Sequence, residues 1–364
     1  MNQDILYNWL MLALTPSIGP VSFLKLLKKF GSIEQIMDAN VSELQTAVHL
    51  SQANAIKQKI AQPAVELSLE WANTPNCHII TLLHDNYPST ISQYTTAPPI
   101  LFARGDISLL STPMISIVGS RHPSAQGIQN AKIFAKSLSQ SGLTVVSGLA
   151  AGIDTAAHEG ALLGTGATIG VLGTGIDRIY PANNKELAHQ MCHHGLLISE
   201  FALGTKPLAS NFPRRNRLIA ALGEATVVVE ATIDSGSLIT AQLALEMNKE
   251  VMAIPGSIHN PQSKGCHKLI KEGAKLVETL DDILEDLPNF SNLNQNTQNL
   301  VSSATLSNHN DLLVTMGFDP VHPDILAQKL NLEPTVIFEQ LLLLEIEGLV
   351  QTMPGGRYQR LFSE

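Results

Sequence analysis

The run Met114-Ile115-Ser116-Ile117-Val118-Gly119 decides the fold class of this chain. It is apolar at almost every position and ends in glycine, which is typical of a parallel strand buried on both faces. Strands that alternate with helices predict an α/β fold with an extended parallel sheet. Six further runs of this kind follow, separated by helical stretches: Thr144–Ser147, Ala167–Leu172, Leu196–Ser199, Thr226–Glu230, Glu250–Ile254 and Lys275–Val277.

Residues 1–80 precede this sheet and have the pattern of short helices. Apolar residues recur at helical spacing in Ile5–Leu14 and in Val21–Phe30, with proline and glycine between the two stretches. The segment is therefore predicted to be a helical domain of the helix-hairpin-helix or SAM-like type. Lysines near the end of the second stretch suit the negative pole of a helix dipole. The alternative is that the Ile18-Gly19-Pro20 turn contacts phosphates.

A small domain is predicted at the other end of the chain, over residues 305–364. Helical patterns at Pro323–Leu330 and Pro334–Gly348, followed by a Gly355-Gly356 hairpin, have the order of a winged helix. The second of these helices carries three glutamates, which phosphates would repel. A protein contact or structural support is therefore favoured, and reading of duplex DNA by this domain is the weaker alternative.

Composition limits the class of protein. The chain has 364 residues, 44% of them hydrophobic and 15% charged, which indicates a globular protein with a sizeable core. Its net charge of −9 means that a local patch must hold any polyanion. Neither a membrane segment nor an export signal is evident, and three widely spaced cysteines fit a reducing, cytoplasmic location. The polar tract from Asn289 to Asn310 is poor in apolar residues, and residues 289–304 are interpreted as a linker.

Small, polar or glycine-rich loops follow many of the predicted strands. In an open parallel sheet, ligands bind outside the carboxyl ends of the strands. Glycine lets a ligand approach the backbone, and free amides at a helix start favour anions. Each loop alone is explained as a simple turn, but together they predict a rim for an extended phosphate-bearing ligand: Gly119 to Arg121, Ser147 to Asp154, Gly173 to Gly175, Gly204 to Asn216 and Asp234 to Ser237.

Positive charge is concentrated between Lys206 and Arg217, in a window free of acidic residues that also contains Phe212. Arginine suits bidentate phosphate contact, and an aromatic ring beside it stacks on an unpaired base. This combination favours binding of single-stranded nucleic acid, with Arg121 as a further phosphate contact. The alternative is that Phe212 belongs to the core and the arginines pair with Glu200 or Glu224.

Sequence motifs of common enzymes are missing. The chain has no Walker A loop, no GxGxxG after the first strand and no GxSxG, and neither a metal site nor a cofactor is expected. Glu230 is the candidate carboxylate for an alternative function, a Rossmann-like hydrolase of nucleotide monophosphates; it would equally hold the basic loop in place. Asp154 is interpreted as a helix cap with His158 packed beside it.

Four stretches resemble the DNA-processing protein A family, DprA, also called Smf. They lie in the family's order, and the resemblance extends from Thr81 to Asp286: Ile117–Arg121, Val146–His158, Asn211–Ala220, and Val229–Ala231 through Ser235–Ala241. The resemblance implies a Rossmann-like domain over residues 81–288 that binds single-stranded DNA without catalysis. It also implies a recombination mediator that protects incoming DNA and loads the recombinase RecA in natural transformation.

The resemblance implies site residues as well, at Arg121 and in the segment from Phe212 to Arg217. Some members have a basic residue three positions before that phenylalanine, where this chain has Ala209, so Lys206 and Arg214 are expected as substitutes. The family's dimer surface, which overlaps its RecA surface, falls on Cys266, Leu269 and Ile270, so a homodimer is expected. The complete predicted DNA-binding set is Gly119, Ser120, Arg121, Ser147, Gly148, Gly152, Asp154, Lys206, Phe212, Arg214, Arg215, Asn216 and Arg217.

Overall fold

A nine-stranded sheet forms the centre of the computed structural model, which describes residues 3–287 and 310–361. Its strand order is β1-β2-β6-β5-β4-β3-β7-β8-β9. The strands are β1 Cys77–Thr81, β2 Ile100–Gly105, β3 Met114–Val118, β4 Thr144–Ser147, β5 Thr168–Val171, β6 Leu196–Ser199, β7 Ala225–Val228, β8 Glu250–Ala253 and β9 Lys275–Leu276.

All seven predicted strands are present as β3 to β9, and they pair in parallel. The sequence reasoning missed β1 and β2, which extend the sheet at one edge through antiparallel pairing of β1 with β2 and of β2 with β6. Because β1 begins at Cys77, the last residues of the segment predicted as helical belong to the sheet. The β-branched run Ile79-Ile80-Thr81 and the prolines before Ile100 were the available signals.

Helices cover the sheet and its amino-terminal edge. Trp9 donates a hydrogen bond from Nε1 to the Pro99 carbonyl (2.8 Å), and its ring lies 5.2 Å from that of Phe23. The first helices therefore share a core with the sheet. They are α1 Gln3–Ala13, α2 Pro20–Phe30, α3 Ile33–Asp38, α4 Val41–Leu44, α5 Leu50–Lys57 and α6 Gln62–Ala72; along the sheet follow α7 Ser89–Ser92, α8 Ala125–Gln140, α9 Ile153–Ala161, α10 Lys185–His194, α11 Asn211–Leu222, α12 Gly236–Glu246, α13 Lys264–Lys271 and α14 Leu280–Leu284.

The carboxyl-terminal part has the predicted winged-helix order. Asn331 ends α16 in the left-handed conformation (φ 53°), which lets the chain turn sharply into α17. Val321 pairs with Tyr358 of the wing and ties the wing to the helices. The elements are α15 Asn310–Met316, α16 Pro323–Leu330, α17 Pro334–Ile346, β10 Val350–Met353 and β11 Arg357–Arg360. The predicted linker, residues 289–304, lies outside the described residues.

The strand order places a topological switch point at β3. Strands β4, β5 and β6 follow on one side of it, and β7, β8 and β9 on the other. Loops that leave the carboxyl ends of β3 and β7 therefore diverge and open a crevice between them, where ligands bind in folds of this kind. Within residues 3–287 and 310–361, the helices are too short or too polar to cross a membrane.

Candidate nucleic-acid interface

A groove of about 660 Å³ lies at this switch point. Four of the five predicted loops contribute side chains or backbone to it, together with the start of α12. Its floor and walls include Gly119, Ser120, Arg121, His122, Ala150, Asp154, Tyr180, Pro207, Ala209, Phe212, Pro213, Arg215, Asn216, Ser235, Gly236, Ser237 and Thr240. The sequence therefore placed the groove at the correct edge of the sheet.

The Phe212 ring is half-buried in this groove rather than part of the core. The Arg121 guanidinium lies 5.5 Å from its centroid, and the Tyr180 ring lies 5.6 Å from it on a tilted plane. Gly173 makes room for the ring, since a Cβ at this glycine would lie 2.8 Å from the Phe212 Cδ1 atom. The three side chains form an aromatic and cationic cluster at the mouth of the groove.

The electrostatics of the groove differ from those of the whole chain. Among its lining residues in the described structure, Asp154 is the single acidic side chain. Asp154 is buried, and one of its oxygens accepts from the amides of Gly148 (3.1 Å) and Ala150 (3.3 Å). Burial raises its pKa, while the Arg215 charge opposes that rise. The arginines therefore set the sign of the field that a ligand meets.

Arg215 has a different role from the predicted phosphate contact. Its side chain is buried, and Nη1 donates to the carbonyl oxygens of Gly148 and Val171. Burial lowers its pKa to about 10, with the nearby Asp154 opposing the shift, so it stays charged at neutral pH. Arg215 thus braces the loop after β4 against the end of β5, although its side chain also reaches the groove wall.

Arg214 and Arg217 both pair with Glu200, at 2.9 Å and 2.5 Å. This is the alternative considered from the sequence, and in this structure both side chains are engaged by a carboxylate of the protein itself. The Glu200 side chain is almost fully buried, so it requires a compensating charge. Arg214 also stacks over the Phe201 ring at 5.2 Å.

Ser147, Gly148 and Gly152 shape the loop instead of facing the groove. Ser147 is buried and donates to the Ile117 carbonyl (2.7 Å). Gly152 has a φ of 85°, and a Cβ there would collide with the Ser120 carbonyl oxygen. Only glycine fits both conditions, and its close approach holds the loop after β3 next to the start of α9.

Asp154 is not the helix cap that the sequence predicted. Gly152 occupies the cap position of α9, and Asp154 lies in the first turn. His158 is fully buried; its Nε2 accepts from the Leu149 amide (3.2 Å), so Nδ1 carries the proton and donates to Thr168 Oγ1 (2.8 Å). Burial, aided by the Arg215 charge, lowers the pKa of His158 to about 3. This histidine is a neutral structural group.

Lys206 is exposed in the loop before α11 and is not among the described lining residues, so the predicted substitution for a basic residue at Ala209 is not seen. Asn216 does line the groove, and its amide approaches the Gly236 carbonyl (3.5 Å). The sequence reasoning missed Tyr180 and His122. The sequence held no local signal for Tyr180, because its approach to the Phe212 ring depends on the fold of the loop after β5.

Glu230 lies behind the groove. Its carboxylate accepts from the Ser124 amide (2.8 Å) and the Ser124 hydroxyl (2.6 Å) at the start of α8. A Cβ at Gly127 would lie 2.5 Å from this carboxyl group, which explains the glycine in the first turn of the helix. Burial raises its pKa, while the bonds from Ser124 lower it. Glu230 therefore anchors α8 and the loop that carries Arg121, whereas the sequence interpretation placed it against the basic segment from Lys206 to Arg217.

The residues predicted for the dimer surface are only partly accessible. Cys266 and Leu269 are buried in the core, and burial raises the pKa of the Cys266 thiol to about 12. Ile270 alone among the three is partly exposed. It borders an apolar groove with Ile233, Ile258 and Leu276, which are exposed. In the parts of the chain that the structure describes, no three His, Cys, Asp or Glu side chains are grouped to hold a metal ion.

Two family models match the chain. The model described as DNA recombination-mediator protein A covers residues 78–288, and the DprA winged helix domain covers residues 301–356. Protein Smf of Escherichia coli strain K12 is 38% identical over 328 residues, spanning 87% of this chain and 86% of the relative. DNA processing protein DprA of Streptococcus pneumoniae is 45% identical over 220 residues, spanning 60% of this chain and 77% of that one.

Solved structures agree with these matches. The X-ray structure of DNA processing protein A from Streptococcus pneumoniae has a TM-score of 0.69 at 38% identity and covers 77% of this chain and 97% of its own. A structure of DNA processing protein A from Helicobacter pylori, described for its single-stranded DNA binding mode, has a TM-score of 0.52 at 30% identity. It covers 57% of this chain and 94% of that chain. The first family model alone matches more than half of the residues, and on these grounds the chain belongs to the DprA/Smf family of DNA recombination mediators.

Proposed function

We propose that this chain is a recombination mediator whose switch-point groove binds single-stranded DNA. The proposal rests on one observation above all: the Phe212 ring lies close to both the Arg121 guanidinium (5.5 Å) and the Tyr180 ring (5.6 Å), in a groove whose single described acid is already hydrogen-bonded. Stacking of a base on such a ring contributes about 1–3 kcal/mol. The DNA-binding structure of the Helicobacter pylori relative supports the same ligand.

Phosphates would meet two kinds of donor in this groove. Arg121 is exposed and has no carboxylate partner in the described structure, so its guanidinium is available for bidentate contact. The amino-terminal end of α12, capped by Ser235, borders the groove at Gly236 and Ser237, so the positive pole of its helix dipole faces an anionic ligand there. A single strand suits this arrangement because a duplex hides the base faces that Phe212 would contact.

The cellular role follows from the family. We propose that the chain acts in the cytoplasm, protects incoming DNA and loads RecA onto it in natural transformation. The groove needs no bond chemistry for this role, since binding alone would keep the strand available for the recombinase. Glu230, the candidate carboxylate for the alternative, hydrolysis of nucleotide monophosphates, does not line the switch-point groove and is hydrogen-bonded to Ser124.

Fluorescence anisotropy of a labelled oligonucleotide, single-stranded and as its duplex, tests the ligand. The wild type is expected to bind the single strand more tightly across a salt series. Replacement of Arg121 by alanine is expected to weaken binding and to lower the log-log salt slope by about 0.7, the value for one lost phosphate contact on a single strand.

Arg357→Ala is the matched control for this experiment, because Arg357 is an exposed arginine on the wing of the carboxyl-terminal domain. The control is expected to bind like the wild type. If neither form of DNA binds at moderate salt, or if both variants lower the slope equally, Arg121 does not mark a DNA-binding groove and the proposal fails.

We further propose that the chain forms a homodimer through the apolar groove beside α13, with Ile270, Ile258 and Ile233 at the contact. Three exposed or half-exposed isoleucines on one surface favour burial against a second copy. A dimer would present two DNA grooves to one strand and raise avidity without new contacts.

Sedimentation velocity of Ile258→Glu and Ile270→Glu tests the dimer. Both variants are expected to sediment as monomers, while Leu163→Glu, which changes an exposed leucine after α9, is expected to leave the coefficient unchanged. Equal coefficients for all three variants and the wild type would remove the dimer. Leu269 is unsuitable for this test, because a charge at that buried position would disturb the core.

A further inference from the structure

The outer face of α17 exposes several large apolar side chains. On its inner face, Ile337, Leu341 and Leu344 are buried in the core of the winged-helix domain. On the opposite face, five apolar side chains are exposed, from 37% at Val336 to 76% at Ile346: Val336, Phe338, Leu342, Leu343 and Ile346. Single exposed apolar residues are ordinary, but several on one helix face mark an interaction site.

Helical geometry arranges part of this set as a straight row. Phe338, Leu342 and Ile346 are spaced by four residues, so they lie above one another along about 12 Å of the helix. At 100° per residue, Glu345 falls on one side of the row and Glu339 on the other. The surface is therefore an apolar row between two acidic flanks, which is the complement of an amphipathic helix with basic flanks.

This chemistry argues against DNA as the occupant. In a winged helix the second helix of the helix-turn-helix pair, here α17, is the one that would enter a major groove, where it needs donors and positive charge. Residues 301–364 carry eight acidic side chains against three basic ones. One of those three, Arg360, already donates to the Leu313 carbonyl (3.1 Å) and stacks over Phe318.

The same chemistry argues against a second copy of α17. Packing two such rows face to face would bring the flanking glutamates of both copies together, and like charges at a desolvated contact are costly. A helix of another protein with lysine or arginine beside its apolar row would satisfy both features at once. Two helices that pack side by side have axes about 8–10 Å apart, and such a contact buries a row of this length.

We propose that the row Phe338, Leu342 and Ile346 on α17 binds an amphipathic helix of another protein, one whose apolar row is flanked by basic side chains. The site is separate from the switch-point groove, so it joins DNA binding in one domain to protein binding in another. A variant that loses binding at one of these two sites would keep binding at the other.

Two synthetic 18-residue helical peptides test this proposal with the full chain. Both carry leucines in one row; one has lysines at the flanking positions and the other has glutamates. Fluorescence anisotropy is expected to show saturable binding of the lysine peptide and none of the glutamate peptide. Leu342→Gln/Ile346→Gln is expected to weaken the binding about tenfold or more, and Glu339→Gln/Glu345→Gln is expected to weaken it several-fold at low salt.

Val314→Gln is the control, because Val314 is an exposed apolar residue on α15 of the same domain. It is expected to bind the lysine peptide like the wild type. Equal binding of both peptides, no saturation by millimolar peptide, or an equal loss in Val314→Gln overturns the proposal. A loss of duplex DNA binding or of self-association in Leu342→Gln/Ile346→Gln would assign the row to DNA or to a second copy, and would also overturn it.

Discussion

The switch-point groove has an open half and a closed half, and their cations behave differently. In the open half, Arg121 contacts the Phe212 ring and is exposed to solvent. In the closed half, Arg215 is buried against the carbonyls of Gly148 and Val171, next to Asp154. The sequence places both arginines among small and polar residues, yet one is available to a ligand and the other is fixed by the protein. A cationic motif therefore combines binding groups with the groups that position them.

Arg215→Met should have the largest effect, and the effect should be on stability. The substitution leaves two carbonyls and the Asp154 carboxylate without their buried partner, and breaking a buried charged contact of this kind costs about 3–5 kcal/mol. Urea denaturation measures the change in the free energy of unfolding. Any loss of DNA affinity should follow from the loss of folded protein.

Arg214→Met is the matched control on the same helix. Its side chain is 48% exposed, and Arg217 would still neutralise Glu200, so the cost should stay below about 1 kcal/mol. Equal urea midpoints for the two variants would show that Arg215 is not a brace, and the division between the two halves would no longer hold.

His158→Gln should reveal the closed half through pH. The folded pKa of His158, about 3, lies below its unfolded value of about 6.5, so the unfolded chain takes up the proton first as the pH falls. Its contribution to stability is complete above pH 6.5 and is lost at about 1.4 kcal/mol per pH unit below that. From pH 7 to pH 5, the wild type should lose about 2 kcal/mol more than the variant.

The comparison of the two proteins at each pH isolates this histidine from Asp154 and Glu230, whose raised pKa values act in the opposite direction. Glutamine retains an acceptor for the Leu149 amide, so the variant should fold. Parallel stability profiles for the two proteins between pH 7 and pH 5 would mean that His158 does not stay neutral in the folded chain.

The parallel sheet was predictable because its strands are buried on both faces and are therefore nearly all apolar. β1 and β2 were missed because they lie at an antiparallel edge, where Cys77–Thr81 mixes polar and apolar residues and follows a helical segment. The position of the groove also followed from sequence, since the carboxyl ends of parallel strands meet at one edge.

The sequence did not show which arginines are held by the protein and which one is exposed to a ligand. Which arginine is buried depends on contacts between distant segments, such as Arg215 with Val171 and Arg217 with Glu200. No local pattern distinguishes these residues from Arg121. Tyr180 was missed for the same reason: its ring approaches Phe212 only because the loop after β5 folds over the start of α11.

Tyr180→Leu should have the smallest effect, and it tests the open half alone. The Tyr180 ring is 48% exposed and supports the Phe212 ring at 5.6 Å, and aromatic pairs of this kind contribute about 0.5–1.5 kcal/mol. Single-stranded DNA affinity should therefore fall by about two- to tenfold, with the urea midpoint unchanged because the ring is mostly outside the core. Tyr180→Phe retains the ring and should bind like the wild type.

If the phenylalanine variant loses as much affinity as the leucine variant, the hydroxyl and not the stacked ring contacts the DNA, and the open half works by hydrogen bonding instead. If Tyr180→Leu shifts the urea midpoint as Arg215→Met does, the two halves form one structural unit and their separation into binding and bracing groups is wrong.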